Sequence, residues 1–219
     1  MKIFGGMDKK TPYILGLTGG LASGKSTVSG FFKDCGAVII DADAIVHQLQ
    51  TAGTPETKAI ADRVGKEVLD ANGDIDRRVL AHKAATDQDL LPFLESVLHP
   101  AVHREEKKLI NQAAEAGHEL VVLDVPLLFE AGSHKNCDSV ALCHAPLDVR
   151  QKRALRRGGM TKEKWNTLLA RRWPDEKAIK EADHIIHTDT PEPETRKEVE
   201  DLCRKLKQRD LEAYLAHWS

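Results

Sequence analysis

The chain has 219 residues, 41% of them hydrophobic and 30% charged, with a formal net charge of −2 at neutral pH. That length is enough for one large domain with a substantial core, and the near-neutral balance excludes the global basic field that would draw nucleic acid. The longest apolar runs, such as residues 37–40 and 120–123, are far too short to span a bilayer.

Residues 1–12 lack the apolar stretch and cleavage site of a secretory signal and read as a short flexible extension, so a cytoplasmic protein is expected. The four cysteines, Cys35, Cys137, Cys143 and Cys203, show no C-x-x-C or metal-finger spacing and read as reduced thiols. The ten histidines form no H-E-x-x-H pair, which argues against zinc.

Tyr13-Ile14-Leu15-Gly16-Leu17-Thr18 has the composition of a buried strand. It runs into Gly19-Gly20-Leu21-Ala22-Ser23-Gly24-Lys25-Ser26-Thr27, which fits the G-x-x-x-x-G-K-[ST] pattern of a phosphate-binding P-loop. Gly19 and Gly24 let the backbone curl so that successive N–H groups face phosphate oxygens. Lys25 is a point charge for the β- and γ-phosphates of a nucleotide, and the Ser26 hydroxyl is placed to ligate Mg²⁺. Residues 26–33 are amphipathic, and this helix offers its positive N-terminal end to the same anions.

The β-branched run 37–40 predicts a second strand, ending at Asp41-Ala42-Asp43. Carboxylates where a buried strand stops lie at the edge where α/β sheets bind ligands. One of the pair can cap the helix expected over 44–49 while the other faces phosphates. Residues 54–116 read as helical almost throughout, with breaks at Asn72-Gly73 and at His99-Pro100, and with Pro100 opening a new helix that stops at Gly117. So long a helical block between strands exceeds what a crossover needs and suggests a substrate-binding insertion, a purely structural bundle being the alternative.

Leu120-Val121-Val122-Leu123-Asp124 is the next buried strand, and Asp124 at its end resembles the aspartate that holds Mg²⁺ directly or through water. Pro126 stops it; Leu127, Leu128 and Phe129 are either core or the wall of a substrate pocket. Residues 139–142 form a fourth strand, less apolar and expected nearer a sheet edge. Residues 150–177 then carry ten Lys or Arg against three acids, with Gly158-Gly159 as a break. Arg153 and Arg157 share a helix face and repel unless an anion lies between them. A lid that closes over phosphates is expected here rather than a solvated basic face or a weak nucleic-acid patch, because the chain as a whole is near neutral. Residues 184–187 make a fifth strand, and a long amphipathic helix is expected to close the chain from about Glu194, with Val199, Leu202, Cys203 and Leu206 on one stripe and Glu200–Arg204 and Asp201–Lys205 at pairing distance.

Alternating strands and helices with a P-loop after the first strand indicate an α/β parallel sheet wrapped by helices. Phosphoryl transfer uses this set of parts. A guanine-nucleotide switch would need an N-K-x-D motif that the chain lacks, and Asp70-Ala71-Asn72-Gly73 is better explained as a polar turn.

Gly16-Leu17-Thr18-Gly19-Gly20, Ile40-Asp41-Ala42-Asp43, His99-Pro100, Asp124-Val125-Pro126-Leu127-Leu128-Phe129-Glu130 and Ala182-Asp183-His184-Ile185-Ile186 occur in the order and spacing of one family. Over about residues 13–205 the chain resembles the dephospho-CoA kinases. The resemblance implies a three-layer P-loop kinase fold with a five-stranded parallel sheet, in a single domain over 13–219 with a helical CoA-binding region at about 44–117 and a lid at about 150–177. It also implies ATP-dependent phosphorylation of the ribose 3′-hydroxyl of dephospho-CoA, the last step of coenzyme A synthesis.

By that resemblance Gly20, Ala22, Ser23, Gly24, Lys25, Ser26 and Thr27 bind ATP phosphates, Ser26 and Asp124 serve Mg²⁺, and Asp43 is the acceptor-facing general base. Arg157 is the phosphate-contacting lid arginine with Arg153 one turn before it, and Thr188 sits near the ATP base. His99, Leu127 and Leu128 border the dephospho-CoA site. Three positions depart from the family pattern: Ala22 for the usual glycine, which demands a negative φ there, Arg172 for a common glutamine, and Thr188 for the frequent asparagine. The rival readings are another small-molecule P-loop kinase, a nucleotide hydrolase or switch, and a catalytically silent CoA-binding protein.

Overall fold

The computed structural model describes residues 11–206 and 212–219. Of the extension expected over residues 1–12, the first ten lie outside the described residues, and Pro12 is already buried. The chain divides into two compact units, one of residues 41–109 and one of the remainder.

The larger unit is organised by a parallel sheet of β1 (Tyr13–Gly19), β2 (Val38–Asp41), β3 (Leu120–Asp124), β4 (Ser139–His144) and β5 (His184–His187), in the order β2-β3-β1-β4-β5. Every residue of central β1 is buried, as expected for a parallel strand covered on both faces. On one face Leu15, Leu17 and Val122 pack with Val28 and Phe32 of α1 (Lys25–Asp34) and with Val199 and Leu202 of α9 (Glu192–Leu206). On the other, Leu128, Phe129, Val140, Leu142 and Ala178 form a second cluster. Each large side chain buried here contributes about 1.5–3 kcal/mol. Register then places the chemistry: Leu17 lies opposite Asp124 and Gly19 opposite Cys143, so the P-loop leaves the sheet just past the β3 carboxylate.

Three expectations change. Strand β4 is interior rather than an edge, because β5 pairs outside it from Ala141↔His184 to His144↔His187. Arg204 pairs with Asp201 instead of Glu200, and Asp201 also takes Lys197 at 3.0 Å. The chain does not end in α9: Tyr214 and Trp218 are buried, Tyr214 Oη donates to Asn111 Oδ1 at 2.7 Å, and Trp218 Nε1 donates to the Asn136 carbonyl at 2.8 Å.

The smaller unit holds α2 (Ala42–Leu49), α3 (Pro55–Val64), α4 (Arg77–Thr86) and most of α5 (Leu90–Glu115). Its core is Ile60, Val68, Ile75, Leu80, Leu90 and Leu94. The Asn72-Gly73 segment is the turn expected, with Asp70 Oδ1 accepting from the Asn72 and Asp74 amides at 2.8 and 3.0 Å. Pro100, however, does not open a new helix but lies inside α5. It removes one N–H···O bond from a helix of 26 residues, a loss outweighed by buried side chains before and after it, Leu94 and Ala101 among them.

Candidate active site

Gly24 has φ +85°, the left-handed conformation that turns the loop into α1 and that glycine adopts without strain. No side chain caps α1, and its first turn carries no acidic residue. Its N-terminal N–H groups and positive dipole end are therefore available to an anion. Gly19 is needed for space rather than for φ, since a Cβ there would lie 2.9 Å from the Cys143 carbonyl oxygen. Cys143 itself is inert: burial, reinforced by the Asp124 charge, pushes its thiol well above the ordinary range.

The loop contains one surprise. Ala22 has φ 59° and is the one non-glycine residue with positive φ among the described residues. The negative φ that alanine demands is not met, so the loop holds this residue in a conformation costing about 1–2 kcal/mol.

Lys25 Nζ forms an ion pair with Asp124 Oδ1, and Asp124 is only 4% exposed. Ser26 is exposed on the first turn of α1. Among the described residues no three His, Cys, Asp or Glu side chains cluster to hold a metal. What the fold does offer is one hydroxyl and one carboxylate, hard oxygen donors that suit a Mg²⁺ whose remaining shell is phosphate and water.

Of the residues expected on the nucleotide side, Ala22, Gly24, Thr27, Arg153, Arg157 and Thr188 line a single cavity of about 330 Å³, together with Phe31 and Glu192. Arg153 comes from α6 (Leu147–Leu155), and Arg157 follows it, exposed. Thr188 is committed to the fold. Its hydroxyl donates to the Ser23 carbonyl at 2.6 Å and lies 3.1 Å from that of His144, while Arg153 Nη2 donates to the Thr188 carbonyl at 2.6 Å. This residue thus ties β5 to the P-loop.

The residues expected on the acceptor side divide between the two units, Asp43 and His99 in residues 41–109 and Leu127 and Leu128 in the larger unit. Asp41 is the N-cap of α2, accepting from the Ala44 amide at 3.1 Å, which leaves Asp43 exposed in the first turn. His99 is exposed on α5, beside Pro100. Leu127 is 40% exposed, whereas Leu128 is fully buried and packs against Gly16, so of this pair only Leu127 faces solvent.

Arg150 carries no local signal beyond membership of the basic segment, and Arg172 stands out in the sequence only as a departure from the family pattern. Arg172 Nη1 donates to the carbonyls of Gly19, at 3.2 Å, and of Pro126. Arg150 is 1% exposed, donates from Nε to the Ala145 carbonyl at 2.9 Å, and pairs with Asp175 at the start of α8 (Asp175–Glu181). Trp173, next to Arg172, stacks on Phe129 at 5.2 Å between centroids, and its amide donates to Glu130 at 2.7 Å. The segment between α6 and α8, which includes α7 (Lys162–Leu169), is rooted beside the P-loop by these contacts.

A strand–P-loop–helix unit, a lysine–aspartate pair at the sheet edge and an arginine-lined cavity beside the loop define a P-loop kinase. The fold matches the crystal structure of a Thermus thermophilus protein at TM-score 0.72, with 29% identity over 90% of this chain and 98% of that one. It also matches the dephospho-CoA kinase from Campylobacter jejuni at TM-score 0.68, with 23% identity over 89% of this chain and 97% of that one.

The dephospho-CoA kinase family profile matches residues 13–194. The dephospho-CoA kinase of Bartonella quintana is 36% identical over 88% of this chain and 97% of its own length, and that of Aquifex aeolicus is 34% identical over 88% and 96%. The chain belongs to the dephospho-CoA kinase family; it catalyses the final step of coenzyme A biosynthesis, with ATP as phosphoryl donor. Among the described residues no helix is long and apolar enough to cross a membrane.

Proposed function

We propose that the P-loop and the cavity beside it hold MgATP, and that the unit of residues 41–109 supplies the acceptor side for dephospho-CoA in a cytoplasmic kinase. The observation that carries this reading is the Lys25–Asp124 pair at the open N-terminus of α1. An ammonium neutralised by a carboxylate is set to exchange that partner for the β- and γ-phosphates when nucleotide arrives, releasing the carboxylate. Ser26 and Asp124 would then hold Mg²⁺, which neutralises phosphate charge.

The acceptor is the ribose 3′-hydroxyl of dephospho-CoA. Asp43 accepts its proton as the phosphoryl group is transferred, because an exposed carboxylate is a competent base once substrate covers it. Arg157 and Arg153, in the lid at about residues 150–177, stabilise the charge that develops on the transferring oxygens. Leu127 and His99 border the acceptor. Gly158-Gly159 allows the lid to move.

The test is ATP-dependent phosphorylation with dephospho-CoA, AMP and gluconate offered together, with and without Mg²⁺. CoA formed as the single phosphorylated product, and only with Mg²⁺, is the expected result. Phosphorylation of AMP or gluconate, or ATP hydrolysis without CoA, would overturn it.

A further inference from the structure

The Arg150 guanidinium sits on the P-loop. It is 1% exposed, and Nε and Nη2 are held by the Ala145 carbonyl and by Asp175, but Nη1 has no hydrogen-bond partner. Nη1 lies against Gly20, where an added Cβ would collide with it. Gly20 has no positive φ, so glycine is required there by the arginine and not by the backbone. A buried cationic group with an unmatched donor is a poor way to stabilise a core, and an apolar side chain of similar volume would serve as well or better.

The same helix grips the loop a second time. Arg153, one turn further along α6, holds Thr188, whose hydroxyl holds the Ser23 carbonyl. Between these two grips lies the turn closed by the Ser23 amide donating to the Gly20 carbonyl at 3.0 Å, and inside that turn is Ala22 at φ 59°. A strained residue persists only where its surroundings over-determine it. We infer that Arg150 is a positioning residue: from α6 it clamps the loop at Gly20, opposite the Thr188 clamp at Ser23, and so keeps Ala22 left-handed and the loop's N–H groups aimed at the ATP phosphates.

This deepens the reading of residues 19–27 as the ATP phosphate loop and rests on it. The experiment compares Arg150→Met, Ala22→Gly and the double variant, following equilibrium ATP binding, the KM for each substrate and the thermal melt. Arg150→Met is expected to weaken ATP binding about tenfold or more while the KM for dephospho-CoA stays within about twofold. Glycine at position 22 reaches φ +59° without a clamp, so Ala22→Gly in the Arg150→Met background is expected to restore most of the lost ATP affinity.

A merely structural role would lower the melt without this rescue. Unchanged ATP affinity in a folded Arg150→Met, or a loss that Ala22→Gly leaves untouched, would overturn the inference. Should Arg150→Met fail to fold, Asp175→Asn loosens the same guanidinium from its part-exposed partner and is judged by the same rescue. Wild-type protein that binds no ATP would sink the nucleotide-site reading itself, a distinct failure.

Discussion

The helices of the smaller unit and the helix after the P-loop begin differently. In the unit of residues 41–109, α2, α3 and α4 each begin on a side-chain cap, with Asp41, Thr54 and Asp76 accepting from first-turn amides. In the larger unit, α1 begins at Gly24 with neither a side-chain cap nor an acid in its first turn. A cap satisfies donors that would otherwise seek water and stabilises a helix by about 1 kcal/mol. Omitting it just past a fully buried strand leaves those donors for a ligand. Elsewhere in the larger unit Thr161 caps α7, while α6 and α8 lack a side-chain cap but carry acids in their first turns, so α1 is set apart from these by lacking both. Variants in each unit test whether this open end marks the nucleotide side.

The largest expected effect comes from Lys25→Ala, which removes the loop's cation and its ion pair with Asp124. The expected loss in kcat/KM is at least about 10³-fold, with ATP binding weakened in calorimetry. Asp43→Asn, in the other unit, is expected to leave ATP affinity intact and to lower kcat by about 10²–10⁴-fold. Equal damage to ATP binding from both changes would end the claim that the units serve different substrates.

Neighbouring leucines repeat the contrast on a smaller scale. Leu128, fully buried among Phe129, Val140 and Leu142, is expected to cost about 2–5 kcal/mol when cut to alanine, measured by denaturant unfolding. Leu127→Ala, at a side chain 40% exposed, is expected to change stability by less than about 0.5 kcal/mol and to raise the KM for dephospho-CoA.

What could be read from the chain alone follows the range of the forces involved. The P-loop, strands ending in carboxylates and the amphipathic stripe of α9 are local patterns, and they stand where the pattern puts them. Strand order is not local: β4 has polar ends, Ser139 and His144, and it is the pairing of β5 outside it that makes it interior. Pro100 carries a local signal for a break that packing along 26 residues overrides. Arg150 looked like one of ten basic residues, because its burial depends on Ala145, Gly20 and Asp175 converging from distant parts of the chain. Thr188 lines the cavity on the nucleotide side, and its hydroxyl also bonds a backbone carbonyl that only the folded loop presents, a contact with no local signal in the sequence.

The smaller unit also carries a pH response that the larger one does not need for its chemistry. Glu106 on α5 is 9% exposed, and burial pushes its carboxyl up to about 7 from the ordinary 4.5. The folded state therefore keeps a proton that the unfolded chain has lost, so stability falls as pH rises from about 4.5 to about 7 and is flat above that. The full span corresponds to about 3 kcal/mol. Glu106→Gln, neutral in both states, is expected to flatten the dependence. Denaturation midpoints at pH 5 and pH 8 that differ as much in the variant as in the wild type would place the response elsewhere.

The smallest effect bears on the open helix end itself. Ala22→Gly removes about 1–2 kcal/mol of left-handed strain and adds unfolded-state entropy worth about 0.4–1 kcal/mol, leaving a net stabilisation of roughly 0.5–1 kcal/mol. The melt of the nucleotide-free protein is expected to rise by a few degrees at most, with ATP affinity held, because the loop already has the conformation that glycine prefers. A loss of stability would mean that neighbouring side chains need the alanine methyl more than the backbone resents it. The strain at this turn would then be compensated where it arises, and α6 would be relieved of restraining it.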